Sequence, residues 1–595
     1  NMRLRENRID LAGRSLILNV VAIILNVIGV FFIAKGFHAS AGDSSLTLKL
    51  IGFTSLIVSL SMLFLLKGMY MFSFVSRAFV GGLFIVSGLV KANDPWGFAF
   101  KLEEYFSPMG LTFDYPFFKI FNGYELELSI LICVAEIVLG VAVILGYRIK
   151  LASWALILMM LGFTWLTYYT YSCVDANELL TSLGQVAERD CVTDCGCFGD
   201  ALRGSVGRSL TPYETFWKDI VLFYFIFIIF INQWKIKPNT QIQNWVMIPS
   251  ALIVVVFFSW VFGWYFPIFF YLVALLGAFV FAKMNIGKLD SSWKIAIYIT
   301  VISFLFSIYT TMYLPVKDYR AYAVGNNIYQ KMNDGINPVV DYVFIYKNKQ
   351  TGEEKEFKMD ELDQCSDSNV WEYVDRKDKI ISMGKDASIS DFLLTLDYEE
   401  LTDKMKTFPT VDSIIQMDLP AYYEDIVKIK INGQVSEIPA YEYQPYYLDS
   451  IDGGFDTTYV TKLDTYSKLM DEQTRFKVDI TSYILSLDKV LLMTIRDIDN
   501  YNEAAIPDLI KVYEQAKEDG VPFYVLTPAT QEQINDFKNK HQFNAPYLTI
   551  DGTEIKIIVR SNPGLVLLKN ATVADKWPSR SIPDYDYIKQ NYLNK

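Results

Sequence analysis

The sequence predicts an α-helical membrane bundle of about nine transmembrane helices, followed outside the cytoplasm by a β-containing middle region and a terminal α/β domain. Three observations point there. Hydrophobic residues make up 52% of the 595 positions, too many for a soluble enzyme of this size. They are concentrated in apolar runs of 17 to 24 residues that recur from Ser15 to about Leu314 and cease after Pro315. Every second connection between these runs is basic, as expected of loops held on the cytoplasmic face.

At 1.5 Å per residue, about 20 apolar residues cross the roughly 30 Å of hydrocarbon in a bilayer. Spans of that kind fall near 15–34, 50–66, 78–93, 126–146, 151–172, 213–232, 244–262, 266–282 and 295–314. Arg3, Arg5, Arg8 and Arg14 precede the first, which reads as a retained helix because its apolar stretch exceeds a signal-peptide core. Lys67 and Arg77 separate the second and third spans; Arg148 with Lys150, Lys235 with Lys237, and Lys283, Lys288 and Lys294 separate later pairs. With the N-terminus cytoplasmic, the connections 35–49, 94–125 and 173–212 face outward with the C-terminal half. The expected setting is a bacterial inner membrane with a periplasmic C-terminal domain. The lipid bilayer is then the first partner. A net charge of −12 argues against nucleic acid as another.

In the outer half, alternation over Val339 to Tyr346, a Thr351-Gly352 turn and Lys355 to Lys358 predict a β-hairpin. Residues 401–475 are rich in Tyr and Asp, with Gly453-Gly454 marking a loop, and suggest no particular fold. Beyond them come a buried strand at Lys489 to Arg496, an amphipathic helix at Glu503 to Asp519, a strand at Pro522 to Leu526 and a helix at Gln531 to His541. Strands at Ile555 to Val559 and Gly564 to Lys569 complete the series, the last after Pro563. This order resembles a thioredoxin-like fold. A redox-active thioredoxin carries Cys-x-x-Cys where the first strand turns into its helix, and here that segment, Asp497-Ile498-Asp499-Asn500-Tyr501-Asn502, has no cysteine. Binding or scaffolding is the role left to such a domain.

The six cysteines are Cys133 within a span, Cys365 in the outer half, and Cys173, Cys191, Cys195 and Cys197 in one outward loop. Three readings of the loop stand side by side. Two structural disulfides would pin it. A redox pair, Cys195-Gly196-Cys197, would cycle between dithiol and disulfide, with Cys173 and Cys191 relaying electrons or bracing. Four thiolates could also hold zinc, although the spacing lacks paired Cys-x2-4-Cys knuckles, and no metal is our expectation.

Ionisable groups at membrane depth usually face a bundle interior. Arg77, Lys91, Glu136 and Asp219 lie within or at the ends of spans and are the candidate cofactor-binding residues. Snorkelling to the interface would explain Arg77 and Lys91 without function, but not Glu136. Only His38 and His541 are present and neither lies in a span, which excludes a bis-histidine haem. Electrons leaving the loop thiols would then go to a lipid-soluble quinone.

Arg77 to Phe106, with Gly81-Gly82, Ser87-Gly88 and Lys91-x-x-Asp94-Pro95, resembles the DoxX family. Cys195-Gly196-Cys197-Phe198-Gly199-Asp200, followed by Trp217-Lys218-Asp219, resembles its MauE branch. The resemblance covers about residues 72–232 and implies a four-helix membrane core, linked in some relatives to quinone-dependent sulfur oxidation or to periplasmic disulfide formation. The expected organisation is a transmembrane pair at 1–71 and this core at 72–232, with its external Cys loop 173–212. Three further helices at 233–314, a periplasmic β-rich region at 315–475 and the thioredoxin-like domain at 476–595 follow. Two functions fit. One is a membrane thiol:quinone oxidoreductase in which Cys195, Cys197, Cys173 and Cys191 handle electrons from a periplasmic dithiol. The other is a non-enzymatic anchor or assembly subunit of a larger membrane complex, binding a periplasmic protein partner.

Overall fold

The computed structural model describes residues 2–38, 43–65, 68–182, 189, 191–192, 196, 198, 200–207, 209–284, 289–337, 339–382, 384–397, 401–406, 423–431, 434–439, 443, 446–451, 454–459, 461–469 and 477–594. The chain forms two compact units, one of Asn1–Tyr319 with Glu424–Lys468, the other of Arg320–Tyr423 with Leu469–Lys595.

The first unit is built on long helices: α1 (Met2–His38), α2 (Asp43–Leu65), α3 (Met69–Asn93), α4 (Pro95–Phe106), α5 (Glu125–Leu145), α6 (Ile149–Ser182), α7 (Pro212–Asn232), α8 (Gln241–Val261), α9 (Phe266–Lys283) and α10 (Ser291–Met312). Each of the nine expected spans falls in one of them. Among the described residues, seven helices are long and apolar enough to cross a membrane: α1, α3, α5, α6, α8, α9 and α10. The apolar stretch of α2 is shorter, at Thr47–Leu63, and α7 carries Glu214, Lys218 and Asp219 in its first turns. These are multi-pass membrane helices, and α3 is their centre: 78% of its most apolar 18-residue stretch is buried inside the protein, against 22% of that of α8, whose outer face is left to lipid.

Local sequence sets the helix ends. Thr211 and Glu214 form a capping box at the start of α7, with Pro212 in the first turn, and Thr240 with Gln243 does the same for α8. Helix α5 ends on Gly146 in the left-handed region, at φ 73°. Helix α6 has 34 residues, about 50 Å of helix, so its C-terminal turns run well beyond the hydrocarbon. They carry Cys173 with them.

In the second unit, β1 (Val339–Asn348), β2 (Glu354–Lys358) and β3 (Trp371–Ser382) form an antiparallel sheet of order β2-β1-β3, which contains the expected hairpin. A seven-stranded sheet follows. Its strands are β4 (Thr395–Asp397), β10 (Lys477–Asp479), β11 (Lys489–Thr494), β12 (Phe523–Thr527), β13 (Tyr547–Thr549), β14 (Gly564–Lys569) and β15 (Thr572–Pro578), in the order β10-β4-β13-β12-β11-β14-β15. Strands β11, β12 and β13 run parallel, whereas β14 is antiparallel to β11 and β15 to β14. The sheet crosses the expected boundary at 475/476, because β4 from the middle region pairs with β10 and β13. The Glu424–Lys468 segment, grouped with the first unit, carries β5 (Tyr423–Ile431), β6 (Gln434–Pro439) and β9 (Thr461–Leu469), in a sheet of order β6-β5-β9, and the hairpin of β7 (Tyr446–Ile451) with β8 (Gly454–Tyr459).

One expected strand is corrected. The expected strand at 555–559 does not form; Gly552–Ile558 is a helix, and β13 at Tyr547–Thr549 takes the place in the sheet. The Asp551 carboxylate accepts from the Thr553 and Glu554 amides, an N-cap, and Ile555 and Ile558 fall on one buried face at helical spacing. The helices over Ile506–Glu518 and Gln531–His541 lie as expected. The cysteine-free segment after β11 is closed on itself: Asp497 accepts from the amides of Asp499 and Asn500, and the Asn562 amide donates to the carbonyls of Asp497 and Asn500.

Candidate functional site

Helices α3 and α5 approach closely because glycine faces the contact. A Cβ on Gly88 would stand 2.9 Å from the Cys133 carbonyl oxygen and 3.1 Å from the Glu136 Cβ, and one on Gly140 would stand 2.8 Å from the Gly81 carbonyl oxygen. That approach lets two side chains meet. Lys91, in the last turn of α3, donates to both carboxylate oxygens of Glu136 at 2.7 and 2.8 Å and to Ser87 Oγ, one turn back, at 2.8 Å. Both charged side chains are buried. The ammonium also lies over the rings of Phe163, at 5.7 Å, and Phe98, at 5.9 Å.

The pair stands in the wall of a cavity of about 290 Å3 among α3, α4, α5, α6 and α7. The wall is otherwise mostly aromatic and aliphatic, with Phe84, Phe98, Tyr105, Phe118 and Met159 among its residues. A second charged group shares it. Asp219 of α7 is buried, accepts from Thr167 Oγ1 at 3.2 Å and pairs with Lys218 Nζ at 3.1 Å, while Lys218 lies 4.9 Å from the ring of Phe198. Lys218, Thr167, Asp219 and Phe198 all line the cavity. Mostly apolar walls with a few convergent polar groups are the common make-up of a small-molecule site.

Lys91, Glu136 and Asp219 are therefore brought together; Arg77 is not. Fourteen residues before Lys91 on the same helix, about 21 Å away, Arg77 is buried against the C-terminus of α5. Its Nε donates to the Val143 carbonyl at 2.9 Å, and its Nη2 donates to the Ile144 carbonyl at 3.0 Å and to Asn239 Oδ1 at 2.7 Å. It satisfies carbonyls that a helix end leaves open. Arg77→Met is accordingly expected to lower stability by about 1–3 kcal/mol through the Val143 carbonyl, since the Ile144 carbonyl keeps the Asn239 amide at 2.8 Å. Thermal unfolding in detergent measures this, and ligand affinity at the cavity is expected to stay within about threefold.

The rest of the Lys91-x-x-Asp94-Pro95 run builds the corner that aims Lys91. Asp94 caps α4 by accepting from the Gly97 amide at 3.0 Å, and Pro95 occupies its first turn. Asn93 exchanges hydrogen bonds with the backbone of Lys317, at 2.7 and 3.0 Å. Ser129 of α5 donates to the Pro95 carbonyl at 2.8 Å.

Cys173, which lies within α6 rather than in the loop after it, is bonded to Cys191, so two of the four candidate thiols form a disulfide that ties the C-terminal end of α6 to the α6–α7 connection. Asn177 supports this tie by donating to the Arg189 carbonyl at 2.8 Å, and Arg189 pairs with Asp114 at 2.9 Å. Cys195 and Cys197 lie outside the described residues. Their neighbours do not: a Cβ on Gly196 would stand 3.2 Å from Lys101 Cγ and 3.6 Å from the Phe98 ring, and Phe198 lines the cavity. Cys133 and Cys365 are free and buried. Among the described residues no group of His, Cys, Asp and Glu is arranged to hold a metal ion.

Sequence reasoning missed Ser87, Thr167 and Lys218. The signals were faint. Ser87 precedes Lys91 by one helical turn, and Lys218 stands inside the Trp217-Lys218-Asp219 motif but reads as an ordinary surface charge.

Comparison with known families bears on this part of the chain. Residues 69–175 match the family described as methylamine utilisation protein MauE, a segment that contains Lys91, Glu136 and Cys173 but ends before Asp219. Residues 340–383, covering the β1–β3 sheet, match a domain of unknown function, DUF8463. No curated protein and no solved structure matches the chain.

Proposed function

We infer that this protein is a membrane thiol:quinone oxidoreductase that generates disulfides in periplasmic dithiols. One observation carries the reading: a buried Lys91–Glu136 ion pair in the wall of an apolar cavity that Phe198, the residue after Cys197, also lines. A quinone ring is flat and apolar with two carbonyl acceptors, and the cavity presents aromatic walls with ammonium donors at Lys91 and Lys218. When bound, the quinone supplies a two-electron acceptor that takes up two protons. Lys91 donates a hydrogen bond toward a carbonyl, Glu136 holds Lys91 in place and offers a carboxylate to carry a proton, and the aromatic walls exclude water. Cys195 and Cys197 exchange with the substrate dithiol, whose oxidation to a disulfide reduces their own. The cytoplasmic N-terminus inferred from the basic loops puts both the thiol loop and the second unit in the periplasm.

The strand order β12-β11-β14-β15, with Pro563 just ahead of β14, supports a thioredoxin-like reading of the terminal domain. Lacking Cys-x-x-Cys, that domain serves to hold a protein partner or substrate, with the thiol chemistry left to the membrane unit. The competing reading, an anchor or assembly subunit, draws on the Cys173–Cys191 bridge, which would serve a static staple equally well. The test is direct. Purified protein in nanodiscs, given duroquinone and a reduced dithiol peptide, is expected to consume thiol and form quinol in equal amounts. If no quinone-dependent thiol loss occurs and the loop cysteines stay fully oxidised in cells, the enzyme reading falls and the anchor remains.

A further inference from the structure

We propose that the cavity opens sideways into the bilayer through a portal on α6, formed by Leu158, Gly162 and Trp165, and that its ligand is a lipid carrying its polar ring inside and a long apolar tail out through this gap. The proposal rests on the quinone reading above and narrows it to tailed membrane quinones.

The three residues follow a spacing of four and three, one stripe on the helix. Each lines the cavity, yet each is exposed: Leu158 by 62%, Trp165 by 37%, and Gly162 as an open position where an added Cβ would meet nothing within 4 Å. A residue that lines a cavity and is exposed marks its opening. This opening is at membrane depth, since Leu158 and Gly162 fall in the middle of the apolar stretch of α6 and the outer faces of Leu151, Trp154 and Leu161 around them are also exposed. Absence of a side chain at Gly162 leaves the gap that bulkier residues would close.

Size makes the same point. An apolar cavity of about 150 Å3 accepts benzene, so one of about 290 Å3 accommodates a substituted ring but not a polyprenyl chain of many carbons. A tail must leave the cavity, and the charged groups at Lys91–Glu136 and Lys218–Asp219 make those walls unsuited to it. The stripe on α6 offers an apolar route.

Equilibrium binding to the full chain in nanodiscs tests this, read by photocrosslinking and by competition rather than by turnover. Long-chain menaquinone and tailless duroquinone are compared. Gly162→Phe is expected to weaken menaquinone by at least about tenfold while duroquinone stays within about threefold. Leu161→Phe, at an exposed position on α6 that does not line the cavity, is expected to leave both unchanged. Equal retention of the two quinones in Gly162→Phe overturns the portal, and so does equal loss of both, since Gly162 would then border the ring rather than the tail. If the unaltered protein binds neither quinone, the functional reading fails and the portal fails with it.

Discussion

Replacing Glu136 with leucine is expected to destabilise the protein by about 3–5 kcal/mol, because it leaves the Lys91 ammonium buried without its counter-charge. Lys91→Met is expected to cost a similar amount by stranding the carboxylate. The double variant Lys91→Met/Glu136→Leu is expected to recover most of the loss, since two apolar side chains of similar volume suit a wall that is already apolar. The coupling across this cycle, read from thermal unfolding of the three variants, is then several kcal/mol, far above the few tenths found for independent sites. The double variant also separates structure from function. A pair kept only for packing could be exchanged for hydrophobic residues without loss, whereas a pair kept for a ligand leaves a well-folded double variant that no longer binds quinone. Binding at unaltered affinity in that variant would remove Lys91 and Glu136 from the site.

Much of the bundle was legible because helix length and burial leave long marks in sequence. Each expected span lies in a helix, since hydrocarbon demands continuous apolar runs whose backbone groups bond internally. Of the two span-bearing helices outside the seven long and apolar ones, α2 has an apolar run of only Thr47–Leu63, and α7 carries Glu214, Lys218 and Asp219 at its start. Partnerships were less legible. Lys91, Glu136 and Asp219 could be marked as costly intramembrane charges one by one, but that Lys91 meets Glu136 across 45 positions depends on the glycine contact of α3 with α5. Arg77 shows the limit of reasoning from cost alone. It is as costly to bury as Lys91, yet two of its three partners are the carbonyls of Val143 and Ile144, which carry no signal in side-chain identity, and the third is Asn239, 162 positions away.

In the second unit, the misread strand at 555–559 has a similar origin. A short apolar run such as Ile555 to Val559 fits both a buried strand and a short helix, and periodicity over so few residues does not separate them. The Asp551-Gly552 start, with Asp551 bonded to two following amides, decides for a helix. Residues 401–475 suggested no fold from sequence; there β5 pairs with the neighbouring β6 and β7 with β8, while β5 also pairs with the more distant β9.

Cys197→Ser is expected to abolish quinone-coupled dithiol oxidation, and Cys195→Ser to do the same, whereas Cys173→Ser/Cys191→Ser is expected to cost stability and leave turnover per folded molecule within about threefold. The argument is one of electron balance. Two substrate thiols lose two electrons and two protons as their disulfide forms, and the loop disulfide breaks to accept them; regenerating it passes two electrons and two protons to the quinone. Each turn needs one loop disulfide that opens and closes, and removing either sulfur of that pair stops it. The Cys173–Cys191 bridge has a different situation: Cys173 is buried, and the bridge closes a separation of 18 residues beside the hydrogen bonds of Asn177. Closing a loop of that length contributes about 3 kcal/mol in chain-entropy terms, so its loss is expected to lower the unfolding temperature without touching the exchange chemistry. Thiol consumption and unfolding temperature, measured on the same preparations, tell the roles apart. Should the double variant be as inactive as Cys197→Ser while still folded, the bridge is an electron relay between the substrate and the Cys195-Gly196-Cys197 pair, and all four loop cysteines belong to the path.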